Sequence, residues 1–239
     1  MALRLAPSPN HDARPEGAPI DMLVLHYTGM PTAEAAIARL CDPAAKVSAH
    51  YSVDRDGTLY AHVPEARRAW HAGASWWAGE KNVNGRSIGV ELVNPGHEFG
   101  YVPFTDDQIA ALIDLAKGIV ARHPIPASRM LGHSDVAPAR KTDPGELFPW
   151  QTLAEHGIGL WPHPLPPLCG EADPAKPDRV GGAVDFAQNL ARFGYGTPPE
   201  VDWPLEKTIE AFQCHFRPSC IDGVADDECA GILKALLAA

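Results

Sequence analysis

The sequence predicts an α/β sheet domain over residues 1–160, a Pro/Gly-rich linker over 161–182 and a small three-helix domain over 183–239. In the first part, short apolar runs alternate with a helical pattern, which is typical of an α/β sheet. Six prolines and four glycines without apolar periodicity mark 159–182 as a semi-rigid connection. The last part has three helical patterns and no strand pattern.

Three segments of the first domain have strand patterns. The apolar run MLVLHY at 22–27 predicts a buried strand, and SIGVELV at 87–93 predicts another. The segment YSVDRDGTLYAHV at 51–63 predicts a hairpin that turns at Asp56 and Gly57.

One long helix and three short ones are predicted. Residues 105–123 have apolar residues at helical spacing after Thr105-x-x-Gln108, a capping-box pattern. Beyond residue 182, the short helices are VDFAQNLARFGY, LEKTIEAFQCHF and DDECAGILKALL.

Composition and charge exclude several classes of protein. The 20 basic and 30 acidic residues give a net charge of −10, with no basic run, so a nucleic acid or an anionic membrane is not expected as a partner. No apolar stretch reaches the roughly 18 residues that span a bilayer. The N-terminal segment lacks the apolar core of a signal peptide. We therefore expect a cytoplasmic protein, with the cell envelope as the alternative if the N-terminus is incomplete.

The cysteine pattern does not indicate a zinc knuckle or a redox motif, because the count is odd and no pair has C-x-x-C spacing. Reduced thiols are expected, and a disulfide among the three cysteines near the C-terminus is the alternative. The five cysteines are Cys41, Cys169, Cys214, Cys220 and Cys229.

Two histidines and an aspartate are candidate metal ligands. His26 ends the apolar strand and His133 follows a short apolar run, and residues at strand ends commonly face a cleft. With Asp143, two imidazoles and one carboxylate leave a fourth position on zinc for water, as in hydrolytic zinc sites. Buried, hydrogen-bonded histidines are the alternative, and Asp135 is a rival third ligand on chemical grounds.

Glu91 and Lys141 are candidate catalytic residues. By alternation along the predicted strand, the apolar residues Ile88, Val90, Leu92 and Val93 occupy both faces around Glu91, so a solvent-facing side is not obvious. Burial near a metal would raise the pKa of this carboxyl and suit it to proton transfer. Lys141, in a loop stiffened by prolines, would place a cation beside an oxyanion. Ordinary solvated side chains are the alternative for both residues.

Five sequence blocks occur together in the order of a known family. The blocks are HYT at 26–28, SAHY at 48–51, AWHAG at 69–73, N-x-x-SIGVE at 84–91 and GHSDVAPARKTDPG at 132–145. With these blocks, the chain resembles the type-2 N-acetylmuramoyl-L-alanine amidases over roughly residues 5–160, a zinc family that includes the anhydro-muropeptide amidases.

The resemblance implies a mixed central β-sheet flanked by helices. It also implies Zn²⁺ held by His26, His133 and Asp143, with Glu91 and Lys141 as the catalytic residues. The expected partner is a muropeptide or peptidoglycan, and the oligomeric state is not predicted.

Three residues of the SAHY and AWHAG blocks are expected at or beside the substrate groove. Trp70 and His71 are candidates for contact with sugar or peptide faces. His50 is a further candidate, with packing under the site as the alternative.

The tail resembles a peptidoglycan-binding helical module. Gln188 to Tyr195, Thr208 to Gln213 and Asp222-Gly223 match its motifs in order, but GTPPEVDWP replaces the usual first D-G loop. Two functions of the tail are therefore compatible with the sequence, namely binding to the cell wall and support of the first domain as a helical cap.

The expected function is hydrolysis of the amide between N-acetylmuramic acid, or its anhydro form, and L-alanine, in cell-wall recycling or turnover. The alternatives are a non-catalytic peptidoglycan-fragment receptor and a secreted autolysin that acts on intact wall.

Overall fold

The computed structural model describes residues 3–162 and 182–239. The strands are β1 Leu3–Leu5, β2 His11–Ala13, β3 Met22–Tyr27, β4 Tyr51–Val53, β5 Leu59–Ala61, β6 Arg67–Ala69, β7 Ser87–Leu92 and β8 Met130–Gly132. The helices are α1 Ala33–Cys41, α2 Val83–Arg86, α3 Gly96–Phe99, α4 Asp106–Arg122, α5 His133–Val136, α6 Trp150–Glu155, α7 Gly182–Phe193, α8 Leu205–Phe216 and α9 Asp227–Ala238.

A six-stranded mixed sheet forms the centre of the molecule, in the order β1-β5-β4-β7-β3-β8. β3 is parallel to both of its neighbours, whereas β4 and β5 form the antiparallel hairpin that the sequence predicts. β2 and β6 form a separate antiparallel pair. The prediction of a mixed α/β fold with C-terminal helices is confirmed.

The continuous apolar sequence of β3 is explained by burial of both of its faces. Leu23 and Leu25 belong to the cluster under α4, whereas Met22 and Val24 belong to a cluster that includes the C-terminal helices. Since successive side chains of a strand point to opposite faces, a strand covered on both sides needs apolar residues at every position.

α4 begins as predicted, but only half of its capping box forms. The Thr105 hydroxyl accepts the Gln108 N–H at 3.2 Å. The Gln108 side chain does not return to the cap and is fully buried, and its amide donates to the carbonyl oxygens of Val53 and Val93 at 2.9 and 3.1 Å. The side chain therefore links α4 to the ends of β4 and β7.

The C-terminal helices share a buried core with the sheet. Phe212 and Leu190 lie in one cluster with Met22 and Leu131. Within the tail, the Gln213 side chain accepts the N–H groups of Asp222 and Gly223 and so holds the D-G turn. Residues 163–181 of the predicted linker lie outside the described residues, and the predicted domain division stays a prediction.

In the two ranges that the structure describes, no helix is long and apolar enough to cross a membrane. Four of the cysteines are free thiols, and Cys169 lies outside the described residues.

Candidate active-site cleft

His26 and Glu91 lie side by side on one face of the sheet. β3 and β7 run parallel, and His26 pairs with Glu91 near the carboxyl ends of both strands. Within β7 the apolar residues near Glu91 occupy one face only, which corrects the sequence argument. They lie in the cluster under α4, and they are Ile88, Val90 and Leu92, whereas Val93 is buried beyond the end of the strand and outside that cluster. Glu91 and Gly89 therefore occupy the alternate face, towards the cleft.

His133 enters the site because β8 stops at Gly132. The Asp135 carboxylate accepts the Gly132 N–H at 2.7 Å and closes the first turn of α5. A Cβ atom at position 132 would lie only 2.8 Å from Cδ of Pro144, so glycine allows the following loop to pack closely against this turn.

The loop that follows α5 returns Asp143 to His133. The Ser134 N–H donates to the Asp143 carbonyl oxygen at 2.9 Å. The Arg140 guanidinium donates to the carbonyl oxygens of Ala72 and Ala74 and so fastens the middle of the loop. The rigidity expected from the prolines is thus reinforced by bonds to neighbouring segments.

Three atoms converge at the bottom of the cleft. Nδ1 of His26 lies 3.0 Å from Nδ1 of His133 and 3.0 Å from Oδ2 of Asp143. Nδ1 of His133 lies 3.1 Å from the same carboxylate oxygen. All three residues are buried.

The electrostatics of this group suit a cation. Burial, together with His133, lowers the pKa of His26 to about 4, so its imidazole is neutral at neutral pH. Two imidazoles and one carboxylate, with their three ligand atoms within hydrogen-bonding distance of one another, are a donor set that fits a zinc ion.

Asp135, the rival third ligand, points away from this group. Its carboxylate accepts hydrogen bonds from the Tyr195 hydroxyl and from Nδ1 of His215, both at 2.7 Å. It therefore joins α5 to the C-terminal helices, and the alternative assignment as a metal ligand is corrected.

Glu91 and Lys141 line a cleft of about 550 Å³ together with His133 and Asp143. Oε2 of Glu91 is buried and has no hydrogen-bond partner among the described residues. Burial raises the pKa of Glu91 well above its usual range, the charge of Asp143 adds to this effect and Lys141 opposes it. A buried carboxyl with a raised pKa in a cleft is typical of a proton-transfer residue.

The three residues expected at the substrate groove lie at different depths. Trp70 and His71 line the cleft. His50 does not, because it is fully buried, its Nδ1 accepts the Gly89 N–H at 2.9 Å and its Nε2 lies 3.1 Å from the Arg67 carbonyl oxygen. The expectation that His50 contacts substrate is therefore wrong, and its alternative role of packing under the site is the one observed.

The sequence profile of the family described as N-acetylmuramoyl-L-alanine amidase matches residues 16–146, more than half of the chain. The chain belongs to this family. The protein is thus an enzyme that hydrolyses the amide between N-acetylmuramic acid and L-alanine.

Relatives of this amidase extend beyond the matched region. The N-acetylmuramoyl-L-alanine amidase AmiD of Escherichia coli is 41% identical over 235 residues, which cover 91% of this chain and 82% of the relative. The 1,6-anhydro-N-acetylmuramyl-L-alanine amidase AmpD of Enterobacter cloacae is 37% identical over 62% of this chain and 86% of its own length.

Solved structures have the same architecture as this amidase. The structure of E. coli AmiD with an anhydro-muropeptide has a TM-score of 0.80 at 38% identity and covers 94% of this chain and 92% of that one. AmpDh3 from Pseudomonas aeruginosa has a TM-score of 0.77 at 35% identity, with coverages of 93% and 92%.

Sequence reasoning missed several residues of the amidase cleft, and two of them make contacts beside the site. Arg140 lines the cleft while it fastens the loop, and Tyr27 lines it while its hydroxyl lies 3.2 Å from Oγ1 of Thr142. Both are adjacent in sequence to a candidate residue, Lys141 or His26. Their positions next to candidate residues, inside the HYT and GHSDVAPARKTDPG blocks, could have predicted that they line the cleft.

Proposed function

We propose that this amidase acts on soluble anhydro-muropeptides in cell-wall recycling and uses a zinc ion. The observation that carries the proposal is the convergence of His26, His133 and Asp143 beside a buried, unpaired Glu91 oxygen. The substrate class is supported by two relatives that match more than nine tenths of this chain. AmiD was solved with its substrate anhydro-N-acetylmuramic acid-L-Ala-D-gamma-Glu-L-Lys, and AmpDh3 with an anhydromuramic pentapeptide.

His26, His133 and Asp143 hold the zinc ion in this proposal. Zinc at such a site polarises the scissile carbonyl and makes the attacking water more acidic. The short loop between His133 and Asp143 is fastened to neighbouring segments, so two of the ligands keep their separation when substrate enters or product leaves.

Glu91 moves the proton. Burial raises the pKa of Glu91 and so makes its carboxylate a stronger base, which accepts a proton as the water attacks the carbonyl carbon. The protonated carboxyl then gives that proton to the amine of L-alanine as the carbon–nitrogen bond breaks. The unpaired Oε2 atom is free to make both contacts.

Lys141 stabilises the negative charge that develops on the carbonyl oxygen. Its side chain lines the same cleft as Glu91, and a fixed cation beside a developing oxyanion lowers the activation free energy. Trp70, which also lines the cleft, offers an aromatic face to the sugar or peptide.

The C-terminal helices support the catalytic domain in this proposal. They share a core with the sheet, and Tyr195 and His215 bond to Asp135, two residues from a proposed ligand. Three residues of the wall-binding-like motifs, Tyr195, Thr208 and Gln213, are buried, so they are not presented to a polymer.

A side-by-side digestion tests the substrate. Soluble anhydro-muropeptide and intact sacculi are incubated with equal amounts of enzyme, and the products are identified by mass. We expect free peptide from the soluble substrate at a much higher rate. Faster release from sacculi would support the autolysin alternative, and binding without release from either would support the receptor.

The proposed compartment is the cytoplasm. The net negative charge of the protein and the soluble substrate proposed for it are both compatible with a recycling enzyme there. Fractionation of the producing cell, with marker enzymes for each compartment, tests this, and recovery with the envelope would overturn it.

A further inference from the structure

A chain of hydrogen bonds runs from the candidate metal site to the end of a short helix. Nε2 of His26 lies 3.0 Å from Nδ1 of His71, and Nε2 of His71 lies 3.0 Å from Oγ of Ser87. The Ser87 hydroxyl in turn lies 2.7 Å from the carbonyl oxygen of Val83 in α2. All four residues are buried.

The direction of each bond follows from the last member of the chain. A carbonyl oxygen only accepts, so the Ser87 hydroxyl donates its one hydrogen to Val83 and must accept from Nε2 of His71. A neutral imidazole has one N–H, so Nδ1 of His71 is an acceptor. It therefore receives the Nε2 hydrogen of His26, which leaves the Nδ1 lone pair of His26 directed at His133 and Asp143.

Ala72, the residue after His71, orients the second proposed ligand, His133, in the same way. Nε2 of His133 lies 3.1 Å from the Ala72 carbonyl oxygen and 3.4 Å from the Arg140 guanidinium, whose hydrogens are donated to the carbonyl oxygens of residues 72 and 74. The shorter contact with the carbonyl places the hydrogen on this nitrogen and the lone pair on Nδ1. The Asn84 side-chain oxygen accepts the backbone N–H groups of His71 and Ala72 at 3.1 and 2.8 Å, which holds both acceptors in place.

We propose that His71 is a positioning residue that, through Ser87, fixes His26 in the tautomer whose Nδ1 binds the metal. Residues 71 and 72 together turn the lone pairs of both ligand histidines inwards. Three acceptor atoms, two imidazole nitrogens and one carboxylate oxygen, then face one another without a hydrogen between them. The hydrogen bonds to residues 71 and 72 hold this arrangement, a cation at the centre relieves the repulsion among the three acceptors, and partners of this kind set ligand orientation in metal sites.

Space for this arrangement is provided by glycine in β7. A Cβ atom at position 89 would lie 2.4 Å from Cγ of His71, so the imidazole packs directly on the strand. The AWHAG and SIGVE blocks thus meet at this ring, which assigns His71 a role distinct from the substrate contact expected of it.

The inference rests on the proposed zinc site, and nitrogen-15 NMR tests it without metal. Long-range proton–nitrogen spectra of the metal-free full chain, recorded above neutral pH, distinguish the two neutral tautomers of each histidine. Signals are assigned by single His→Gln variants. We expect the Nε2–H form for His26, His71 and His133. An Nδ1–H form of His71 would overturn the proposal.

Zinc affinity, measured by competition with a chromophoric chelator, is the second test. Ser87→Ala should weaken zinc binding by about 10–100-fold. The matched control is Ser52→Ala. Ser52 also bonds to a buried histidine, His62, at 2.8 Å, but neither residue belongs to the series of hydrogen bonds that runs from His26 to Val83. Equal affinities of the Ser87→Ala and native proteins, or equal losses in both serine variants, would overturn the positioning role. Absence of zinc binding by the native chain would instead contradict the proposed function.

A pair of substitutions at position 71 separates orientation from packing. In His71→Asn the amide oxygen can still accept from Nε2 of His26, whereas His71→Leu has no acceptor. We expect the Asn variant to bind zinc more tightly than the Leu variant, although thermal melts show both to be folded. Equal affinities of the two variants would contradict a hydrogen-bonding role.

Discussion

At the residue scale, Oε2 of Glu91 combines two costly properties, because it is buried and has no hydrogen-bond partner among the described residues. Buried polar atoms are nearly always hydrogen-bonded, so an exception at a cleft indicates use in chemistry. Glu91→Gln should keep zinc stoichiometry and the fold but lower kcat by about 10²–10⁴-fold, the usual contribution of a general base. Steady-state kinetics with a muropeptide, beside elemental analysis, measure both.

The matched control for this substitution is Glu98→Gln, because Glu98 also lines the cleft but is exposed. Its kcat should stay close to that of the native enzyme. A small effect of Glu91→Gln, or equal losses in the two variants, would argue against proton transfer by Glu91.

Two aspartates in the same loop region should separate metal binding from stability. Asp143→Ala removes a carboxylate oxygen that lies 3.0–3.1 Å from both ligand histidines, so elemental analysis should find no bound zinc. Asp135→Ala should retain zinc at saturation but leave the Tyr195 hydroxyl and His215 without their partner. We expect a loss of about 1–3 kcal/mol in the free energy of unfolding. Full zinc content in Asp143→Ala would disprove its role as a ligand.

At the scale of elements, local pattern predicted the parts of the fold that local sequence determines. β3, β7, the hairpin and α4 have apolar periodicity or turn residues of their own. β1, β2 and β6 are three residues long and were not predicted, because they form only by pairing with segments about 55 residues away. Periodicity cannot show a partner that is distant in the chain.

The same limit applies to the candidate site. The five proposed metal and catalytic residues came from strand ends, one stiff loop and a family resemblance. The hydrogen bonds that support these residues could not be predicted from the sequence, because they join distant positions. Asp135 bonds to a histidine 80 residues later, and His26 bonds to one 45 residues later. The sequence could not decide between the two roles of His50, because its ring is buried by bonds to Arg67 and Gly89, which are distant in the chain.

Gln108 gives a prediction for α4. Its amide donates to the carbonyl oxygens of Val53 and Val93, and Val53 also accepts the Val93 N–H, so Gln108→Leu should remove both bonds to α4 and leave Val53 with its backbone donor alone. We expect a loss of about 1–3 kcal/mol in the free energy of unfolding, measured by urea denaturation. Thr105→Ala, which removes only the helix cap, should cost about 1 kcal/mol. Equal losses would mean that the link between α4 and the strands adds no stability.

At the scale of the whole molecule, the shared core predicts that the sheet and the tail unfold together. Phe212 in α8 is fully buried in the cluster that also contains Met22 and Val24. Phe212→Ala should destabilise by about 3–5 kcal/mol. The transition should stay single when followed by tryptophan fluorescence and by circular dichroism. Two separated transitions would show that the tail folds independently.

Stability should also depend on pH through His50. Burial, together with the Arg14 cation, lowers the pKa of His50 from 6.5 to about 3, so the folded chain keeps this ring neutral while the unfolded chain protonates it. The free energy of unfolding therefore falls as pH falls from about 6.5 towards 3, by about 1.4 kcal/mol per pH unit for this group. His50→Gln should remove that share of the slope. Urea denaturation of metal-free protein at several pH values measures it, and identical slopes would contradict the assignment.

The pairing of His26 with Glu91 across β3 and β7 offers a way to check whether refolded protein has the correct strand alignment. A shift of one residue between these strands would turn one of the two side chains to the opposite face of the sheet. The proposed mechanism requires both on the same side, so a protein with a misaligned sheet should be inactive even if it is compact and helical. The specific activity of a refolded preparation should therefore report the fraction of molecules in which β3 and β7 are correctly aligned. Circular dichroism alone would not detect the misaligned fraction.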